Sequence, residues 1–141
     1  LEENSTTRGR MSNIDWKDLL GWTEVEVESL RFVAYSYIKQ GHYETATTIL
    51  ESLLVISPKN VYDLQTLGAV YLQEGNALKA LNFFDQSLEI EPENTSTLLN
   101  RAKALFLLGY KIQGKKEATK LKNSKDKAIA KEAEALLLSL T

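Results

Sequence analysis

The chain has no cysteine, a single histidine and only two prolines in 141 residues. Without cysteine there is no disulfide and no thiolate metal site, and a reducing compartment is allowed. His42 alone cannot build a common zinc site. Basic residues do not outnumber acidic ones: 17 against 19, a net charge of -2. There is thus no basic surplus to hold a phosphate backbone, and nucleic acid is not an expected partner. No apolar run approaches the ~18–20 residues that span a bilayer, and no charged-then-apolar leader opens the chain. Glycine-rich phosphate loops and nucleophile motifs are missing too. The acidic group Glu24, Glu26 and Glu28 reads as helix-start charge that suits the helix dipole. These absences predict a protein that is not an enzyme and carries no metal or cofactor.

What is present is the composition of a folded domain, 43% hydrophobic and 26% charged, in a chain of ordinary single-domain length. Residues 1–10 are polar, aperiodic and precede Met11. They read as an appended tail, with the native start at Met11. Residues 11–26 read as a helical lead-in over Ser12 to Trp22, capped by Asn13, with Ile14, Trp16, Leu19 and Leu20 on its apolar side. Trp22 is expected to staple this lead-in to the first repeat.

From Val27 one pattern is written twice at a spacing of 34. Leu30 aligns with Leu64, Ala34 with Gly68, Tyr37 with Tyr71, Gly41 with Gly75, Ala46 with Ala80, Leu50 with Phe84 and Pro58 with Pro92. A period of this size signals stacked supersecondary units. Leu30, Val33, Ala34 and Tyr37 fall on one helical stripe, Gly41 ends that helix, a second helix succeeds it, and Pro58 stops it. Asn60 and Asn94 are ready N-caps for the next first helices. The small residues Ala34, Gly68 and Ala102 are expected to face Ala46 and Ala80 across each helix pair. Tyr37 and Tyr71, with Leu50 and Phe84, should fill the space between neighbouring pairs.

The third copy keeps Leu98, Ala102, Leu105 and Gly109 and then departs, with Gly114 at the alanine position and Asp126 at the proline position. This stretch carries Lys111, Lys115, Lys116, Lys120, Lys122, Lys125 and Lys127, read as a solvated face because Glu117 and Asp126 interrupt the run. A last helix over residues 126–140 carries Ile129, Ala133, Leu136, Leu137 and Leu140 at helical spacing and should cap the stack. The expected fold is all-α: repeats at about 27–60, 61–94 and 95–125, closed by a capping helix at 126–141.

Leu64, Leu67, Gly68, Tyr71, Gly75, Ala80, Phe84 and Pro92 resemble the tetratricopeptide repeat pattern, with Ser87 where a second alanine is usual. Repeat one matches with Leu30, Val33, Ala34, Tyr37, Gly41, Ala46, Leu50 and Pro58, Leu53 standing for that alanine. Three such repeats between a short N-terminal helix and a C-terminal cap also resemble the repeat chaperones of bacterial type III secretion. That resemblance implies a cytoplasmic protein that holds a secreted needle or translocator subunit, as an amphipathic helix or extended segment, until export. It also implies a second small co-chaperone or a self-dimer. The alternative is a general repeat adaptor that joins proteins in a larger assembly.

In such a stack the first helices line the concave face, and the residues outside the packing stripe are free for a ligand. The expected peptide groove comprises Arg31, Tyr35 and Ile38 from repeat one, Tyr62, Gln65, Ala69 and Leu72 from repeat two, and Leu99, Lys103 and Phe106 from repeat three; Leu107 is also on the free side. A carboxylate clamp of the kind that holds heat-shock-protein tails would fall on Arg31, Tyr35, Thr66, Ser96 and Asn100. It lacks lysine, so that ligand ranks low.

Overall fold

A computed structural model of the chain describes residues 16–139. These residues form eight helices and no strand: α1 (Trp16–Leu20), α2 (Glu24–Lys39), α3 (Tyr43–Ile56), α4 (Val61–Gln73), α5 (Ala77–Ile90), α6 (Thr95–Leu107), α7 (Lys111–Leu121) and α8 (Lys127–Leu138). The expected cap Asn13, its neighbour Ile14 and the terminal Leu140 lie outside the described residues.

The repeat punctuation acts through the backbone. Gly41, Gly75 and Gly109 have φ of 80°, 83° and 88°, which favours residues without a Cβ. Each lets the next amide turn back: His42 donates to the Tyr37 carbonyl, Asn76 to Tyr71 and Tyr110 to Leu105, all at 2.9 Å. The same Schellman closure is thus built three times at one period. Asn60 and Asn94 cap α4 and α6, accepting from the amides of Asp63 and Thr97 at 3.0 Å. Helices α3 and α5 end two residues before Pro58 and Pro92. The first repeat begins three residues earlier than the apolar stripe predicted. Thr23 and Glu26 form a capping box, with the Thr23 amide donating to Glu26 Oε2 at 2.8 Å and Thr23 Oγ1 accepting from the Glu26 amide at 3.3 Å.

Backbone contacts divide the chain into two compact units, one ending at Pro58 and one starting at Lys59. In the first, α2 and α3 form a hairpin with Ala34, Ala46, Leu50 and Leu53 buried. Helix α1 touches α3, and Trp22, between α1 and α2, is 36% exposed. Val25, Phe32 and Val33 of α2 are exposed, although Val33 sits on the predicted stripe. Tyr37 meets His42 edge-on, ring centroids 6.0 Å apart.

In the second unit, α4 and α5 form one hairpin, α6 and α7 another, and the two pack through α5 and α6. Phe84 fills two roles. It occupies the space where a Cβ on Gly68 would stand, only 2.3 Å from its Cε1, and it clusters with Ala77, Ala80 and Ala104. Tyr71 packs within its own hairpin rather than only between pairs, stacked on Phe83 at 5.7 Å with Lys79 Nζ 5.0 Å from its ring centre. Arg101 ties three helices together: Nε donates to Asp85 of α5 at 2.6 Å and Nη1 donates to Glu117 of α7. Burial opposes its charge, but the two carboxylates outweigh that and hold the guanidinium pKa above its usual value. Helix α8 packs on α7 and reaches α6, as α6 packs on α5 and reaches α4. Asp126 caps it as Asn60 and Asn94 cap α4 and α6, accepting from the Ala128 amide at 3.0 Å. The final helix therefore takes the place of the first helix of another repeat.

Candidate functional site

Three of the predicted groove residues meet in the second unit. Leu72 from α4 and Lys103 and Phe106 from α6 line an open, almost wholly apolar cavity of about 350 Å³, together with Leu107 and Leu136. Leu72 and Phe106 reach it from equivalent positions on successive first helices, one period apart. Leu136 reaches it because α8 stands in the next first-helix position. The lid helix thus contributes a wall.

Each wall has a local cause. The Phe106 ring lies over Gly114 of α7, where an added Cβ would come within 3.2 Å of the ring and 3.3 Å of the Ala102 carbonyl oxygen. Gly114, standing where earlier repeats carry alanine, makes room for Phe106. Leu72 is half-buried, its inner side against the cluster built on Phe84. Leu107 is 64% exposed, so it adds apolar surface at the mouth. Lys103 Nζ donates to Glu132 Oε2 of α8 at 3.3 Å, a partly exposed ion pair beside the cavity. Such a pair is weak enough in water for either partner to turn to a ligand's charge.

The other predicted positions divide. Tyr62 and Ala69 are exposed on α4, and Tyr35 and Ile38 are half-buried on α2. Gln65 is half-buried, with its Nε2 shielded from solvent and without a hydrogen-bond partner among the described residues. Two expectations are corrected. Leu99 is only 2% exposed and packs in a cluster with Leu121, Ile129 and Ala133. The capping helix covers it, so it is core rather than groove floor. Arg31 is 7% exposed and donates to Glu28 on its own helix, which removes it from the surface offered to a ligand. Leu136 is the site residue that sequence reasoning missed. Its apolar spacing is visible in the sequence, but spacing alone reads as the inner stripe of a lid.

The cavity walls carry one cation and four apolar side chains, which fits the burial of an apolar side chain beside a carboxylate. No helix among the described residues is long and apolar enough to cross a membrane.

A family model described as "Anaphase-promoting complex, cyclosome, subunit 3" matches residues 39–118, more than half of the chain. The DnaJ homolog subfamily C member 7 homolog of Schizosaccharomyces pombe is 32% identical over 93 residues, which is 66% of this chain and 17% of that protein. The chain therefore spans 17% of the length of the curated relative that it matches. Among solved structures, the Yersinia enterocolitica type III secretion chaperone SycD in complex with a peptide of the translocator YopD is similar with a TM-score of 0.75, covering 83% of this chain and 93% of that one at 17% identity. A type III secretion complex from Aeromonas hydrophila gives a TM-score of 0.78 over 96% of this chain and 94% of that one, at 15% identity. At these identities the likeness shows the fold, a tetratricopeptide-type arrangement of helix hairpins.

Proposed function

The chain belongs to the family described as Anaphase-promoting complex, cyclosome, subunit 3, and from that premise we propose that it is a protein-binding repeat chaperone. It holds a segment of a type III secretion subunit, needle or translocator, in the cytoplasm before export. It acts by occupancy and not by catalysis: a segment held in the cavity is withheld from premature assembly. The observation that carries this reading is the open apolar cavity walled by Leu72, Phe106, Leu107 and Leu136. Burial of a client's apolar side chain there supplies the affinity, and Lys103 supplies charge selection at its edge. The likeness to a chaperone solved with a translocator peptide supports the same class of client.

The test is co-purification of a secreted subunit with the full chain and with Phe106→Glu and Leu107→Glu. Both variants should lose the subunit, at least tenfold, while their far-UV circular dichroism stays that of the parent. Leu107 is exposed, so its substitution separates binding from folding. Undiminished capture by both variants overturns the site. A second reading, a general adaptor, is favoured by the identity to a segment of the DnaJ homolog, which exceeds that to the secretion proteins. The adaptor reading prevails if the protein that co-purifies is a folded assembly component rather than a secreted subunit.

A further inference from the structure

The lysine-rich stretch is left unused by the client site. Residues 111–131 hold eight of the chain's seventeen basic side chains and two of its nineteen acidic ones. Both acids are engaged elsewhere: Glu117 takes the Arg101 guanidinium, and Asp126 caps α8. The lysines Lys111, Lys115, Lys116, Lys120 and Lys122 are exposed and form no ion pair among the described residues. The interruptions that made this stretch look balanced in the sequence do not neutralise it in the fold.

The lysines are also ordered about an apolar centre. Gly114, Ala118 and Leu121 are the buried side of α7. On the opposite side, at 3.6 residues per turn, Ile112 stands in the middle. Lys115 and Lys122 lie to one side of it and Lys116 and Lys120 to the other. Ile112 is 89% exposed, more than any other large hydrophobic residue described, and Tyr110 just before it is 59% exposed. The remainder of the second unit carries four basic residues against eight acidic ones, so the positive charge of this unit is concentrated in one stretch.

We propose that the exposed face of α7 is a docking surface for an anionic membrane, with Ile112 and Tyr110 entering the headgroup boundary and the flanking lysines meeting lipid phosphates. Lysine stems lie along apolar surface while their ammonium groups stay in water, which suits a plane that is apolar below and anionic above. A nucleic acid would leave Ile112 unmatched, since its backbone offers charge and its bases stack on aromatic rings. The client cavity uses different residues, so docking and client capture are separable.

The experiment is sedimentation of the full chain with vesicles of phosphatidylcholine alone and with about 30% phosphatidylserine added. Binding to the anionic vesicles only is expected, falling at least tenfold between about 0.1 M and about 0.5 M salt. At about fivefold per unit of charge, Lys115→Glu with Lys116→Glu, which together change the charge by four units, should weaken it at least a hundredfold. Ile112→Asn should weaken it about tenfold with the salt dependence unchanged. Lys116→Gln with Lys120→Gln gives a milder second pair should the reversed pair fold poorly. Equal binding to neutral vesicles, or binding untouched by both lysine pairs, overturns the proposal. So does displacement from the vesicles by polyglutamate or duplex DNA at matched charge, which would assign the face to a soluble polyanion.

Discussion

The second and third repeats solve one packing problem in opposite ways. In repeat two the glycine is on the first helix and the ring on the second: Gly68 leaves room for Phe84. In repeat three the glycine is on the second helix and the ring on the first: Gly114 leaves room for Phe106. The two pairs use different positions of the repeat: Ala102 and Ala118 stand where Gly68 and Phe84 stood, and Phe106 and Gly114 stand where Leu72 and Ala80 stood. In repeat two the ring is buried in the core. In repeat three it is half-buried and forms a cavity wall. Moving the aromatic residue between helices keeps the hairpin tight and converts a core anchor into a cavity wall.

The sharpest way to break this comparison is at Phe84. Phe84→Ala removes a fully buried ring and should cost about 3–5 kcal/mol, measured by urea unfolding. Gly68→Ala alone should destabilise by about 1–2 kcal/mol, because overpacking against the ring outweighs the better helix propensity of alanine. In the Phe84→Ala background the sign should reverse: Gly68→Ala should then stabilise by up to about 1 kcal/mol. Additive effects in this cycle would show that the pair does not act as one unit.

Much of the frame was legible because local chemistry decides it. Gly41, Gly75 and Gly109 mark backbone conformations that other residues resist, Asn60, Asn94 and Asp126 mark helix starts, and Ala34, Ala46, Ala80 and Ala102 mark close approach. The earlier start of α2 was legible too, in the spacing of Thr23 and Glu26. The candidate site was legible only in part. Leu72, Lys103 and Phe106 follow from the repeat period, but Leu99 and Leu136 depend on where α8 docks. An apolar stripe on a helix declares that something covers it and does not name the partner. Here α8 covers Leu99 and extends the site with Leu136. Arg31 was misread for a related reason, since burial depends on tertiary contacts that a helical stripe does not encode.

Gly114→Ala sharpens the comparison at its other end. The added Cβ would be tight, at 3.2 Å from the Phe106 ring, rather than overlapping as at Gly68. The ring also has the cavity to move into. Strain and helix propensity should nearly cancel, leaving stability within about 1 kcal/mol of the parent. Client affinity should fall instead, about tenfold, because the displaced ring occupies the space a ligand would fill. The two measurements, unfolding and capture by pull-down, must therefore separate in repeat three where they cannot in repeat two. A large loss of stability with capture retained would mean that Phe106 is core, as Phe84 is.

The smallest effect concerns the place where repeat two departs from both neighbours. Ser87 stands where repeat one has Leu53 and repeat three has Leu121, and all three are buried. The Ser87 hydroxyl is shielded from solvent and has no hydrogen-bond partner among the described residues. A buried hydroxyl without a partner forfeits its hydration for nothing in return. Alanine removes that penalty without adding volume, and it is the better helix former. Ser87→Ala should therefore stabilise the chain by about 1 kcal/mol, seen as a higher urea midpoint with an unchanged slope. Leucine at the same site, as in the flanking repeats, should not: Ser87 lies in the hairpin that Phe84 already fills, and the added side chain must displace packed neighbours. If Ser87→Leu stabilised more than Ser87→Ala, repeat two would have room to spare, and its tight glycine and ring would need another explanation than close packing.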